Sequence, residues 1–287
     1  MTKTILLTGA ATGFGRDTAE TLAKAGHRVF ASMRDIDARN AAAAAALKAQ
    51  GIAVVELDVT DDASVNAGVA SVLAQAGRID VLVNNAGMAS AGVSEAFTAD
   101  QSKVLFNTNV IGVLRTTRAV LPAMRAAGDG LIVNIGSVLG RVTFPFFGLY
   151  GASKFAVEAL TDSFRYELSQ LGVDVVLVQP SAYPTNMYAS MQQPADAGVA
   201  AAYGEVSAIP GTMLETFTAM FAADGAPEPH DVAEAISVLV AQPKGSRTAR
   251  VVVGQPFGAD AVNAATAPVQ QGVIEALGLT SLDTLRI

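Results

Sequence analysis

The chain predicts a doubly wound α/β fold: a parallel seven-stranded sheet with helices on both faces. Three observations predict it. Short β-rich runs alternate with longer helical stretches. The β-rich runs are continuously apolar more often than alternating, as parallel strands buried on both faces are. A glycine-rich turn joins the first run to the first helix.

The strands are expected at 4–8, 27–32, 52–57, 79–83, 130–135, 173–178 and 249–253. Helical stretches fill about 13–26, 37–50, 61–76, 100–127 and 149–171. Strand, helix, strand in succession implies right-handed crossovers and hence a sheet wound from its middle outwards. No Pro/Gly/Ser-rich linker interrupts 1–287, so one domain is expected. The stretch at about 185–228 breaks the rhythm with Met187, Tyr188, Met191, Met213, Phe217 and Phe221 among prolines. An insertion after a strand's C-terminal end is where such folds place ligand contacts. A helical, Ala-rich tail is expected at about 258–287.

Composition narrows the function. Apolar residues make up 51% of the chain, yet no run reaches the ~18 residues that a membrane span needs. The run 4–8 ends at Thr8-Gly9 and is too short for a signal peptide. A soluble, cytoplasmic chain with no membrane partner is expected. There is no cysteine, and His27 and His230 lie far apart, so a dedicated transition-metal site is not expected. The net charge of -7 and the lack of a Lys/Arg cluster count against nucleic acid as a partner.

The turn after the first strand reads Thr8-Gly9-Ala10-Ala11-Thr12-Gly13-Phe14-Gly15. Glycines let backbone amides approach a pyrophosphate, and the following helix start offers its positive dipole end. At the end of the second strand, Ser32 takes the place expected for an acid that would bind the ribose of NAD. Arg34 follows, and a guanidinium suits the 2′-phosphate of NADP. NADP is the expected cofactor, with NAD kept open by Asp35 and Asp37.

Tyr150 and Lys154 stand four apart, on one helix face. A nearby ammonium lowers a phenol's pKa and makes it usable as a general acid/base. Ser137 ends the fifth strand, at the edge where the glycine turn also lies.

Together these motifs resemble the short-chain dehydrogenase/reductase family in its main single-domain branch. Thr8-Gly9-x-x-x-Gly13-x-Gly15 resembles its cofactor loop, Asn84-Asn85-Ala86-Gly87 its N-N-A-G motif, and Asp58-Val59 its adenine-contacting pair. Asn109, Ser137, Tyr150 and Lys154 match its catalytic residues. The resemblance runs from residue 4 to about 185 and is weaker to about 254. It implies a Rossmann-type sheet and hydride transfer between a nicotinamide and a carbonyl or alcohol. Tyr150 would exchange the proton, Lys154 would bind the nicotinamide ribose and lower the tyrosine pKa, and Ser137 would polarise the carbonyl. Asn109 would hold a water, and Thr185 would contact the carboxamide. Gly9, Thr12, Gly13, Phe14, Gly15, Arg34, Asp58, Val59, Asn85, Ala86, Gly87, Tyr150, Lys154, Pro180 and Thr185 form the expected cofactor site. Pro180-Ser181 departs from the family's Pro-Gly.

Ser137, Leu139, Phe147, Tyr183, Met187 and Tyr188 are expected to form an apolar substrate pocket for a small hydrophobic carbonyl or alcohol. The family implies a homodimer or homotetramer through the helices at 100–127 and 149–171. Two other readings fit the fold: a nucleotide-binding regulator without catalysis, and an epimerase or dehydratase that cycles its cofactor. The regulator would be expected to lose the tyrosine or the lysine, and both are present.

Overall fold

The structure is a computed structural model and describes residues 1–287. Seven strands form one sheet: β1 (Thr4–Thr8), β2 (Arg28–Met33), β3 (Ala53–Glu56), β4 (Val81–Asn84), β5 (Gly130–Ile135), β6 (Val173–Pro180) and β7 (Arg250–Val253). Every pairing is parallel and the order is β3-β2-β1-β4-β5-β6-β7. The winding therefore reverses between β1 and β4. Ligands of open α/β sheets bind in the crevice at such a reversal, beyond the strands' C-terminal ends.

Successive strand residues point to opposite faces, and both faces are apolar. Ile5 and Leu7 join one core layer with Leu22 and Ile236, while Leu6 joins the other with Val120 and Phe164. The first layer is covered by α1 (Gly13–Lys24), α2 (Ala41–Ala49) and α9 (His230–Ala241). The second is covered by α3 (Asp62–Ala76), α5 (Gly112–Ala127) and α6 (Gly148–Ser169).

Two elements differ from the sequence expectation. The helix expected at 100–127 is α4 (Ala99–Phe106) and α5, joined by a π-helical turn at Asn107–Ile111. The wider turn buries Asn109. Helix α9 was not anticipated, although Val232, Ala233, Ile236, Leu239 and Val240 are spaced for one buried helix face.

The stretch at 185–228 holds α7 (Ala197–Ala202) and α8 (Ile209–Ala222), and neither buries a residue. In the tail, α10 (Ala259–Ala276) is followed by a 3₁₀ turn at Thr280–Asp283. No helix is long and apolar enough to cross a membrane.

Candidate active site

The glycine loop is built for close approach. Gly9 has φ +71°, and a methyl on it would lie 2.8 Å from Ala86 Cα. A methyl on Gly15 would collide with the Gly9 carbonyl and the Asn85 amide. Thr12 takes the N-cap place of α1 without making a capping hydrogen bond, so the first-turn amides stay free. Thr185 lies across the loop, 3.7 Å from where a methyl on Gly13 would sit. A backbone cradle with free amides at a helix start fits a pyrophosphate.

Polar side chains staple the neighbouring turn to this cradle. Asn85 Nδ2 donates to Thr8 O at 2.9 Å and Gly9 O at 3.1 Å. Thr8 Oγ1 accepts from the Asn85 and Ala86 amides, each at 3.0 Å. Asn84 is structural. Its Nδ2 donates to Asn134 Oδ1 at 2.9 Å, and Thr116 Oγ1 donates to its Oδ1 at 2.6 Å.

Just after β2, the neighbour of β1 in the sheet, the side chain of Arg34 is half exposed, and Nη1 lies 3.8 Å from Asp58 Oδ2. Burial pushes the Asp58 carboxyl up, but the Thr60 amide and hydroxyl, with Arg34, hold it below its ordinary value. Val59 is buried next to it. Ser32 corrects the sequence reading. It is fully enclosed, with an unpartnered hydroxyl, and cannot present a side chain to a ribose. Arg34 is the first side chain of this segment to reach solvent, because both Ser32 and Met33 are buried.

Ser137, Tyr150 and Lys154 meet at the crevice. Ser137 follows β5 and its Oγ accepts from the Leu139 amide at 3.1 Å. Tyr150 and Lys154 lie in the first turns of α6, both buried. Lys154 Nζ donates to Ile135 O at 2.8 Å and lies 5.6 Å from the centre of the Tyr150 ring. Burial pushes Tyr150 up to about 12, against a pull from the Ser137 hydroxyl. Burial pushes Lys154 down to about 8. Burial thus drives both groups towards their neutral forms.

Asn109 stands behind the cluster. Its Nδ2 donates to Met88 O at 2.8 Å and Ser153 Oγ at 3.0 Å, and its Oδ1 accepts from Met88 N at 2.9 Å. The two bonds to Met88 hold the turn that follows Gly87, and the bond to Ser153 ties that turn to α6. Ser153 was not singled out in the sequence. Its place between Tyr150 and Lys154 was the available signal.

The crevice opens into a cleft of about 820 Å³ including its mouth. Leu139, Phe147, Met187 and Tyr188 line it, as do Pro180 and Thr185. Tyr183 lines it only marginally: it is 1% exposed, its ring packs edge-on against Phe14 at 5.5 Å, and its hydroxyl faces Asp231 Oδ2 at 3.3 Å. Phe144, Met191 and Phe217 complete the apolar wall. Ser181 does not adopt a left-handed backbone, and its amide donates to Val253 O at 2.9 Å.

Comparisons with known proteins agree with this architecture. Residues 3–196 match the family model described as short chain dehydrogenase. A 3-ketodihydrosphingosine reductase of Bacteroides thetaiotaomicron is 39% identical over 184 residues, which cover 63% of this chain and 64% of that protein. A short-chain dehydrogenase/reductase of Burkholderia phymatum, solved in complex with NAD, superposes with a TM-score of 0.76 at 26% identity, over 94% of this chain and 95% of that one. A serine dehydrogenase complexed with NADP⁺ gives 0.73 at 26% identity, over 87% and 93%. The chain belongs to the short-chain dehydrogenase/reductase family of oxidoreductases.

Proposed function

We propose that the chain interconverts a hydrophobic ketone and its secondary alcohol with NADP(H), using Tyr150 as general acid/base. The observation that carries this reading is the meeting of Tyr150, Ser137 and Lys154 at the floor of an apolar cleft beside the glycine cradle. When bound, the nicotinamide gives or takes a hydride at the substrate carbon.

The chain's own residues do the rest. Gly9, Thr12, Gly13, Phe14 and Gly15 hold the pyrophosphate with backbone amides and the α1 dipole. Arg34 pairs with the 2′-phosphate, and this is the basis for preferring NADP. Asp58 and Val59 flank the adenine, and Asn85, Ala86 and Gly87 flank the nicotinamide ribose. Pro180 and Thr185 steady the carboxamide. Ser137 donates to the substrate oxygen, and Tyr150 gives that oxygen a proton in reduction and removes it in oxidation. Lys154, held at the crevice by its bond to Ile135 O, would bind the ribose hydroxyls of the cofactor and favour the phenolate of Tyr150. Asn109 keeps the turn at Gly87 and Met88 in place. The apolar wall excludes water and selects hydrophobic substrates.

The exposed Val104, Ile111 and Phe155, on the helices the family uses for assembly, support a homodimer or homotetramer. Light scattering checks this, and a monomer at micromolar concentration would count against it.

The reading is tested by turnover with both cofactors, in both directions, across a panel of hydrophobic ketones and alcohols. Net turnover is expected, and Tyr150→Phe should cut it by about 100-fold or more while cofactor binding persists. Cofactor binding by wild type without any turnover would favour a regulator. Conversion of a substrate without net cofactor consumption would favour an epimerase or dehydratase.

A further inference from the structure

The cleft at Tyr150 does not end at its aromatic wall. A second cavity, about 350 Å³ with its mouth, lies against the first half of α8. Phe147, Met191 and Phe217 line both spaces, so three side chains form the partition. Ala91, Pro210, Gly211 and Leu214 line the rest, with Gln193 as the one polar residue and no charge.

Helix α8 is unusual in this fold. Pro210, Leu214, Phe217 and Phe221 recur along one face, as on a helix that packs on a core. Yet α8 buries no residue. Its apolar face rests on the two cavities and is held by aromatic contacts. Phe217 meets Phe147 edge-on at 6.4 Å between ring centres, and Phe221 meets Tyr188 at 5.3 Å. Its only acid, Glu215, forms no ion pair.

The geometry points to a tail subsite: the second cavity takes the far end of a linear alkyl chain whose carbonyl sits at Tyr150, with Phe147 and Phe217 as the gate between head and tail. The substrate class is therefore a long-chain ketone or its secondary alcohol, rather than a compact ring system, which would need only the first cavity. This inference rests on the reading of Tyr150 above. The reaction consumes one hydride and one proton per carbonyl whatever the chain length, so chain length enters through binding alone.

The test is a homologous series of linear 2-alkanones, from pentanone to dodecanone, reduced by wild type, Leu214→Trp and Leu214→Ala. Leu214 lines the second cavity and not the first, and sits on a helix with no core role, so both variants should fold. In wild type kcat/KM should rise by up to about fourfold per methylene until the cavity is full. Leu214→Trp should lower kcat/KM for dodecanone by about tenfold or more, the loss of two buried methylenes, and leave pentanone unchanged. Leu214→Ala should move the plateau to longer chains. A flat wild-type profile, or equal losses on pentanone and dodecanone in Leu214→Trp, overturns the tail subsite.

Calorimetric binding of dodecan-2-ol and pentan-2-ol to the same proteins separates this inference from its parent. If nothing is turned over, yet dodecan-2-ol binds more tightly and Leu214→Trp removes that preference, the Tyr150 chemistry falls and the tail subsite stands. If neither chain length nor Leu214 affects binding, the subsite falls whatever the turnover.

Discussion

Lys154 donates to the carbonyl of Ile135 at 2.8 Å, two residues before Ser137. The lysine thus joins α6, which presents Tyr150, to β5, which presents Ser137. It does so from an enclosed position, where burial pushes its pKa down to about 8 and that of Tyr150 up to about 12. Burial disfavours the ammonium and the phenolate alike. Occupation of the cleft must change this balance before Tyr150 can trade a proton near neutral pH.

This placement has a stability signature. Between pH about 8 and the ordinary lysine value of 10.5, the unfolded chain holds a proton on Lys154 that the folded chain has released. Stability due to this group therefore rises with pH across that window, and below it the fold bears the cost of a buried ammonium. Tyr150 has the opposite slope from pH 10 to about 12, where the folded chain keeps a proton that the unfolded chain has lost. Lys154→Met removes the ammonium and leaves the Ile135 carbonyl without its donor, an opposing loss of about 1 kcal/mol. The variant should melt about 2–4 °C above wild type at pH 7, with the gap closing towards pH 10.5 and turnover lost. Melting curves across pH check this, and a variant less stable than wild type at pH 7 would contradict it.

Asn109 should act through structure. Its amide satisfies the Met88 N–H and C=O and also reaches Ser153. Asn109→Leu leaves those groups unpaired beside an enclosed apolar side chain. A loss of about 1–3 kcal/mol is expected in denaturant titration. Asn109→Asp still accepts from Met88 N but cannot donate to Met88 O, so it should rescue only part of the loss. Equal stability of Asn109→Leu and wild type would remove this account.

Arg34 separates the two cofactors. Its side chain is half exposed, and its one ionic neighbour, Asp58, stands 3.8 Å away, so little in the protein competes for the guanidinium. A charge-assisted pair with a 2′-phosphate is worth about 1.5–3 kcal/mol. Arg34→Ala should therefore cut kcat/KM with NADPH by about 10- to 100-fold and leave NADH nearly unchanged. Equal effects on both cofactors would refute the role assigned to Arg34.

Much of this was legible in the sequence for one physical reason. Strands buried on both faces are largely apolar, so runs such as Val175-Val176-Leu177-Val178 stand out without alternation. The glycine loop, Ser137, Tyr150 and Lys154 were legible because each sits where a strand ends or a helix begins. What remained hidden depended on side-chain direction. Ser32 occupies the right place in the chain but points into the protein. Tyr183 lines the cleft, but nothing in its composition shows that its ring packs edge-on against Phe14 and is almost wholly enclosed. The π-helical turn at Asn107–Ile111 has no periodic signature, because one widened turn leaves the flanking pattern helical. Phe217 was visible as an aromatic residue of the insertion, but nothing in the sequence shows that it meets Phe147.

Ser181 is a departure from the family motif that the backbone accommodates. A glycine is required only where φ is positive or space is lacking, and Ser181 is not among the left-handed residues. Its amide bonds to Val253 O and so extends the pairing of β6 with β7 by one residue. Ser181→Gly would restore the motif while loosening the unfolded chain. It should lower stability by about 0.4–1 kcal/mol and leave kcat/KM within about twofold of wild type. Thermal melts and steady-state kinetics on the purified variant check both halves. A glycine variant that turned over substrate several-fold faster would mean that the serine restrains the loop around Thr185 after all.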